Sequence, residues 1–154
     1  EARRGQPLAG RRVAVGQFGD FEPLRQTLSD ALREHGAMLI ELTDDDVAGQ
    51  GHTANLFGAD VYVGVESSPN YEARVSYYSV PAFESAGGRS LAHLIERHLR
   101  DVVPRLTVSG MRLPILLETK MPAVLLTLGP VELMTQRSQR IADAIFLALS
   151  AWAP

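Results

Sequence analysis

Three short runs are apolar at nearly every position: Arg12–Val15 (RVAV), Asp60–Val65 (DVYVGV) and Pro122–Leu128 (PAVLLTL). Each is too short for an independent helix and lacks the alternation of a strand with one wet face. Such runs predict strands covered on both sides, as in a parallel sheet between layers of helices. The segments between them supply those helices. Pro23 suits a first helical turn, Leu24, Leu28, Ala31 and Leu32 recur at helical spacing, and Gly36 marks the stop. AMLIEL (37–42) reads as a second strand. The turn TDDD (43–46) leads into a helix to about Phe57, weakened by Gly49 and Gly51.

After SSPN (67–70), Glu72 to Val80 alternates as a further strand, with Val75 and Tyr77 on one face. SAGGRS (85–90) reads as a break. Leu91, Leu94, Ile95 and Leu99 then form one helical stripe, ended by Pro104. MRLPILLETKMP (111–122) fits neither template. Ile141, Ala144, Ile145, Ala148, Leu149 and Trp152 mark the inner side of a last helix. Strands alternating with helices predict an α/β three-layer sandwich: a twisted, mostly parallel sheet of about six strands flanked by helices on both faces.

The 154 residues fit one domain. The polar opening EARRGQPLAG reads as a linker over 1–10, leaving 11–154 as the α/β domain, and a further domain is expected before residue 1. With no cysteine, thiolate metal sites, disulfides and cysteine nucleophiles are excluded. A net charge of −3 does not point to nucleic acid. No apolar run approaches the roughly 20 residues of a membrane span, and no signal peptide is visible. The compartment is left open.

In sheets of this kind ligands bind at the carboxyl ends of the strands. Here those ends are GQFGD (16–20), Glu66-Ser67-Ser68 and Thr127-Leu128-Gly129. GQFGD is neither GxGxxG nor a P-loop, and Asp20 and Glu22 oppose an anion there, so it reads as a turn. Glu66 is the best-placed single carboxylate; it has no evident partner, and topology alone would allow Asp20. Ser67 and Ser68 lack the context of a nucleophile elbow. TDDD lacks the spacing of a calcium loop. His35, His52, His93 and His98 do not cluster and read as surface or capping residues.

Four segments, in order, resemble the zinc-dependent N-acetylmuramoyl-L-alanine amidases. LAGRRVAVG with LRQTLSDALREHGAMLIEL is similar to their first strand, first helix and second strand. TANLFGADVYVGVESS resembles their AN…ADLFISIHAN segment, GGRSLAHLIERHL the helix after their fourth strand, and MPAVLLTLGPVEL their MPAVLVELGFLSN. That family cleaves the amide between the glycan's lactyl group and L-alanine in peptidoglycan. It uses zinc held by two histidines and a glutamate, with a further glutamate as general base.

Position by position, the resemblance implies a lost site. Gly19 falls near the first histidine, Gln17 near the ligand glutamate, Glu66 on the second histidine and Thr127 on the general base. Glu22 lies too close to the helix to replace the ligand. One carboxylate in place of an imidazole does not make a three-ligand zinc site. Without it no bound water is activated.

The expectation is a catalytically inactive, zinc-less amidase-like domain associated with the cell envelope. It would need no metal and no cofactor, and would bind a peptidoglycan fragment or a cell-envelope protein, not nucleic acid. Gln17, Glu66, Arg112 and Thr127 would line its remnant groove. Arg112 would pair a stem-peptide carboxylate, unless it is simply a surface arginine. Two alternatives stand beside this reading. One is a divergent active amidase with a site rebuilt around Glu66 and His52 or Glu22. The other is an unrelated α/β small-molecule-binding module.

Overall fold

The computed structural model describes residues 6–152. Residues 1–5 of the expected linker lie outside the described residues. Within its remainder, Leu8 is buried, and its backbone N–H donates to the His35 carbonyl at 3.0 Å.

The first half alternates strand and helix: β1 (Arg12–Phe18), α1 (Glu22–Glu34), β2 (Met38–Leu42), α2 (Val47–Phe57) and β3 (Val61–Ser67). Two strands follow without a helix between them, β4 (Glu72–Val80) and β5 (Phe83–Glu84), then α3 (Ala86–Leu99). The chain ends with β6 (Thr107–Met111), α4 (Pro114–Glu118), β7 (Ala123–Gly129), α5 (Val131–Gln136) and α6 (Ser138–Ala151). The sheet therefore has seven strands where about six were expected.

Strands β2, β1, β3 and β7 lie side by side and parallel. β4 runs antiparallel along the far side of β7 and carries β6, parallel to itself, on its other edge. The result is an open mixed sheet, parallel through the half that the apolar runs predict. β7 is buried at every position, as a strand covered on both faces must be.

Helices α1, α3 and α6 cover one face. Leu24, Leu28 and Leu32 of α1 and Ile141, Ile145 and Leu149 of α6 pack there over Val13, Val63, Val124 and Leu126. Helices α2 and α4 cover the other, over Ala14, Tyr62, Ala123 and Leu125. Alternation along each strand assigns every side chain to one of these two layers. No helix of the described residues is long and apolar enough to cross a membrane.

Several local expectations are corrected. GQFGD is not all turn: Gly16, Gln17 and Phe18 continue β1, and the chain turns only at Gly19, whose φ of +77° suits glycine. Gly16 is strand because it pairs with Leu42 of β2 and Gly64 of β3, and it is glycine because a Cβ there would strike the Tyr62 hydroxyl and the Gln50 side chain. SAGGRS is a helix start, not a break. Ser85 is the N-cap of α3, and its Oγ accepts from the Gly88 N–H at 3.0 Å. Within the ambiguous segment 111–122, Pro114 opens the short helix α4. Gly51 does not stop α2. It lets that helix approach α4 so closely that an added Cβ would lie 2.6 Å from the Glu118 Cβ.

Candidate functional site

β1, β3 and β7 end together, and pairing places four side chains in one row. Phe18 stands opposite Glu66, Glu66 opposite Thr127, and Thr127 opposite Arg74 on β4. All four belong to the layer covered by α2 and α4. The Thr127 hydroxyl donates to Glu66 Oε1 at 3.0 Å. Thr127 is buried, and Glu66 is half-buried.

A cavity of about 120 Å³ opens beside this row, lined by Phe18, Val47, Glu66, Arg74, Leu113, Pro114, Ile115 and Leu125. Its two charged walls are Glu66 and Arg74. Arg74 Nη1 pairs with Glu72 Oε2 at 2.8 Å, while its buried Nε–H has no hydrogen-bond partner. A wider groove of about 490 Å³ lies at the other end of β7, beside Pro122 and Ala123. It is mainly apolar, and of its two charged lining residues, Glu84 and Lys120, Glu84 is paired with Arg89.

Beneath the strand ends runs a buried polar chain. Tyr62 donates its hydroxyl to Gln50 Oε1 at 2.8 Å, and Gln50 Nε2 donates to the carbonyls of Gln17 and Asp44 at 3.0 and 2.7 Å. Burial, and then the nearby Glu66 carboxylate, push the Tyr62 phenol far above the ordinary tyrosine value. It stays a neutral donor at all physiological pH values.

The structure brings together only part of the expected site. Glu66 and Thr127 meet. Gln17 does not join them, because its side chain lies on the opposite face, in the layer of α1. There it accepts from Arg25 Nε at 2.7 Å and donates to the Gly19 carbonyl at 2.9 Å. Arg25 in turn pairs with Glu41, which Arg33 also holds at 2.7 Å. This relay runs from the buried Arg25 out to the exposed Arg33 at the carboxyl end of β1, and no sequence signal singled it out.

Arg112 is exposed, follows the end of β6, and has no ion-pair partner among the described residues. The arginine that lines the cavity is Arg74. Its signal was in the sequence only through the register of β4 on β7, which no local pattern reveals. Asp20 and Glu22 are both exposed, in the turn after β1 and at the first position of α1. His35 caps α1 and stacks on Phe146, with ring centroids 3.7 Å apart. His52 and His93 are exposed. Among the described residues no three His, Cys, Asp or Glu side chains come close enough to hold a metal ion.

Neither a family model nor a curated protein matches the sequence. Solved structures do match the fold. The N-acetylmuramoyl-L-alanine amidase AmiC2 of Nostoc punctiforme superposes with a TM-score of 0.71 at 17% identity, over 92% of this chain and 96% of that one. An N-acetylmuramoyl-L-alanine amidase from Clostridium difficile 630 gives 0.71 at 16% identity, over 92% and 95%. The CwlD amidase from Clostridioides difficile, solved in complex with the GerS lipoprotein, gives 0.68 at 14% identity, over 91% and 96%. The chain has the fold of N-acetylmuramoyl-L-alanine amidases. An unrelated strand arrangement is set aside.

Proposed function

We propose that this is a zinc-less, catalytically inactive amidase-like domain that binds a ligand at its strand ends and acts in peptidoglycan metabolism at the cell envelope. The observation that carries the reading is the pairing of Glu66 with Thr127 at the ends of β3 and β7. These are the positions where the resemblance expects a zinc-binding histidine and the general-base glutamate.

The donor set does not fit zinc. Tetrahedral zinc needs three protein ligands and an open position for water. Glu66 offers one carboxylate, already accepting from a hydroxyl. Gln17 is engaged on the other face, Gly19 has no side chain, and Glu22 points from an exposed helix start. Thr127 cannot take a proton from water at neutral pH as a carboxylate can. What remains is a cavity with one acidic and one basic wall, suited to binding.

A peptidoglycan fragment is the ligand that the shared fold favours, because the solved neighbours are named as N-acetylmuramoyl-L-alanine amidases. The test combines metal analysis of the purified protein, titration with muropeptides, and an assay for peptide release from peptidoglycan. Binding without stoichiometric zinc and without release is the expected result. Stoichiometric zinc, with release abolished by chelator and by Glu66→Ala, would overturn the reading.

A further inference from the structure

We propose that the cavity between β3, β4 and α4 takes an α-amino-acid head group, with its ammonium on Glu66 and its carboxylate on Arg74. The inference rests on reading the strand ends as a binding site, and it names the chemistry of the ligand.

The geometry is that of two opposite charges held apart. Glu66 and Arg74 flank β7, each one strand spacing of about 4.8 Å from Thr127. No ion pair joins them directly; Arg74 is held instead through Nη1 by Glu72. That contact uses one corner of the guanidinium. The Nε–H stays buried and unpartnered, next to the remaining Nη2. Nε and Nη2 form one edge of the planar fork, and that edge matches a carboxylate with two parallel hydrogen bonds. On the other wall Thr127 occupies Glu66 Oε1, and no donor reaches Oε2 among the described residues.

Ligand classes can be separated by what each leaves unsatisfied. A lone anion on Arg74 meets repulsion from Glu66 and Glu72. A lone cation on Glu66 leaves the buried Arg74 Nε–H without an acceptor. A wholly apolar ligand covers the Arg74 Nε–H and Glu66 Oε2 and leaves both without a partner. A zwitterion with both charges on one carbon satisfies the two walls together and adds no net charge. The cavity, at about 120 Å³, admits only a few non-hydrogen atoms. Phe18, Leu125 and Ile115 offer the apolar surface for a short aliphatic chain. Such a head group belongs to a free small amino acid. It also ends the side chain of a diamino-diacid within a peptide.

Titration calorimetry of the whole chain with L-alanine and with meso-diaminopimelate tests the proposal, alongside N-acetyl-L-alanine and L-alaninamide. Both intact head groups should bind saturably, and each blocked form should bind at least about tenfold more weakly, the loss of one charge-assisted pairing. Arg74→Gln should erase the difference between alanine and alaninamide. Glu66→Gln should erase that between alanine and N-acetylalanine. Tighter binding of diaminopimelate than of alanine assigns the head group to a peptide side chain, and equal binding to a free amino acid. Blocked forms binding as well as their parents, or no saturable binding of either head group at millimolar concentration, overturns the proposal. Should a variant fail to fold, the blocked ligands on the unaltered chain decide alone. Muropeptide binding without this discrimination sinks the head-group inference and spares the function proposed above. Head-group binding with no muropeptide binding does the reverse.

Discussion

Thr127 donates its hydroxyl to Glu66 across two parallel strands, joining residues 61 positions apart at 3.0 Å. Thr127→Val keeps the shape and removes the donor. We expect a loss of about 1 kcal/mol in denaturant unfolding, the net worth of one such bond, with the fold intact by circular dichroism. A loss below experimental error would mean that the bond is not formed in solution.

Arg25 is buried and spans Gln17 on β1 and Glu41 on β2. Arg25→Met retains much of the stem but removes the charge from between two acceptors. The Gln17 side-chain oxygen, Oε1, is left inside without a donor. A destabilisation of about 2–3 kcal/mol follows, read as a lower urea midpoint. Gln17→Leu on top of Arg25→Met should cost less than the sum of the two single changes, because they share one interaction.

Glu41 gives the fold a pH dependence of definite sign. Burial pushes its carboxyl up, but hydrogen bonding from Arg33 and the charges of Arg33 and Arg25 outweigh burial, so the folded value lies below the ordinary 4.5. A depressed folded value means stabilisation that is complete above the unfolded value and lost as pH falls through the folded one. Melting curves from about pH 6 to about pH 3 should fall more steeply for the natural chain than for Glu41→Gln. Parallel curves would remove Glu41 from the account. Arg33 is about half exposed, which limits its share.

Gly49 and Gly51 both sit in α2 but should respond oppositely to alanine. At Gly49 the nearest obstacle is the Asp46 carboxylate at 2.7 Å, which can swing away. The helix gains up to about 1 kcal/mol there. At Gly51 the obstacle is Glu118, including its backbone at 3.3 Å, so α4 must shift. Overpacking of about 1–3 kcal/mol should exceed the propensity gain. Thermal melts of the two variants moving in the same direction would contradict the packing of α2 on α4.

Gly16→Ala drives a methyl into the Tyr62 hydroxyl and Gln50 Oε1. It should cost about 1–3 kcal/mol. Tyr62→Phe removes the first obstacle, so the double variant should lose less than the two singles combined. Strict additivity in unfolding free energy would show that the two side chains do not meet.

What could be read from the residues follows from how local the cause is. Val61–Val65 and Ala123–Leu128 announce themselves, since burial on both faces leaves each run apolar at nearly every position, Thr127 being the exception. Gly16 and Gln17 look like a turn, yet they are strand because Leu42, Gly64 and Val65, distant in sequence, pair alongside them in the sheet. β6 has no periodic pattern; it is an edge strand with half-exposed residues. Glu66 and Thr127 are legible as strand ends, and the resemblance adds the positions they occupy. Arg74 is not legible, because its place in the site depends on an antiparallel register that only the assembled sheet defines. Arg112 is expected from the sequence as the carboxylate binder for its guanidinium chemistry, but it is exposed beyond β6 and does not line the cavity.

The position of β7 orders the birth of the sheet. It lies between β3 and β4, yet it is the last strand of the chain. Without Ala123–Gly129 the pairing splits into two unconnected groups, β2-β1-β3 and β4 with its short neighbours. Each shows a bare hydrogen-bonding edge where the seam will form. Such late, non-local closure makes for slow assembly. The same event that seals the sheet brings Thr127 to Glu66, so the strand-end cavity exists only once nearly the whole domain has been made.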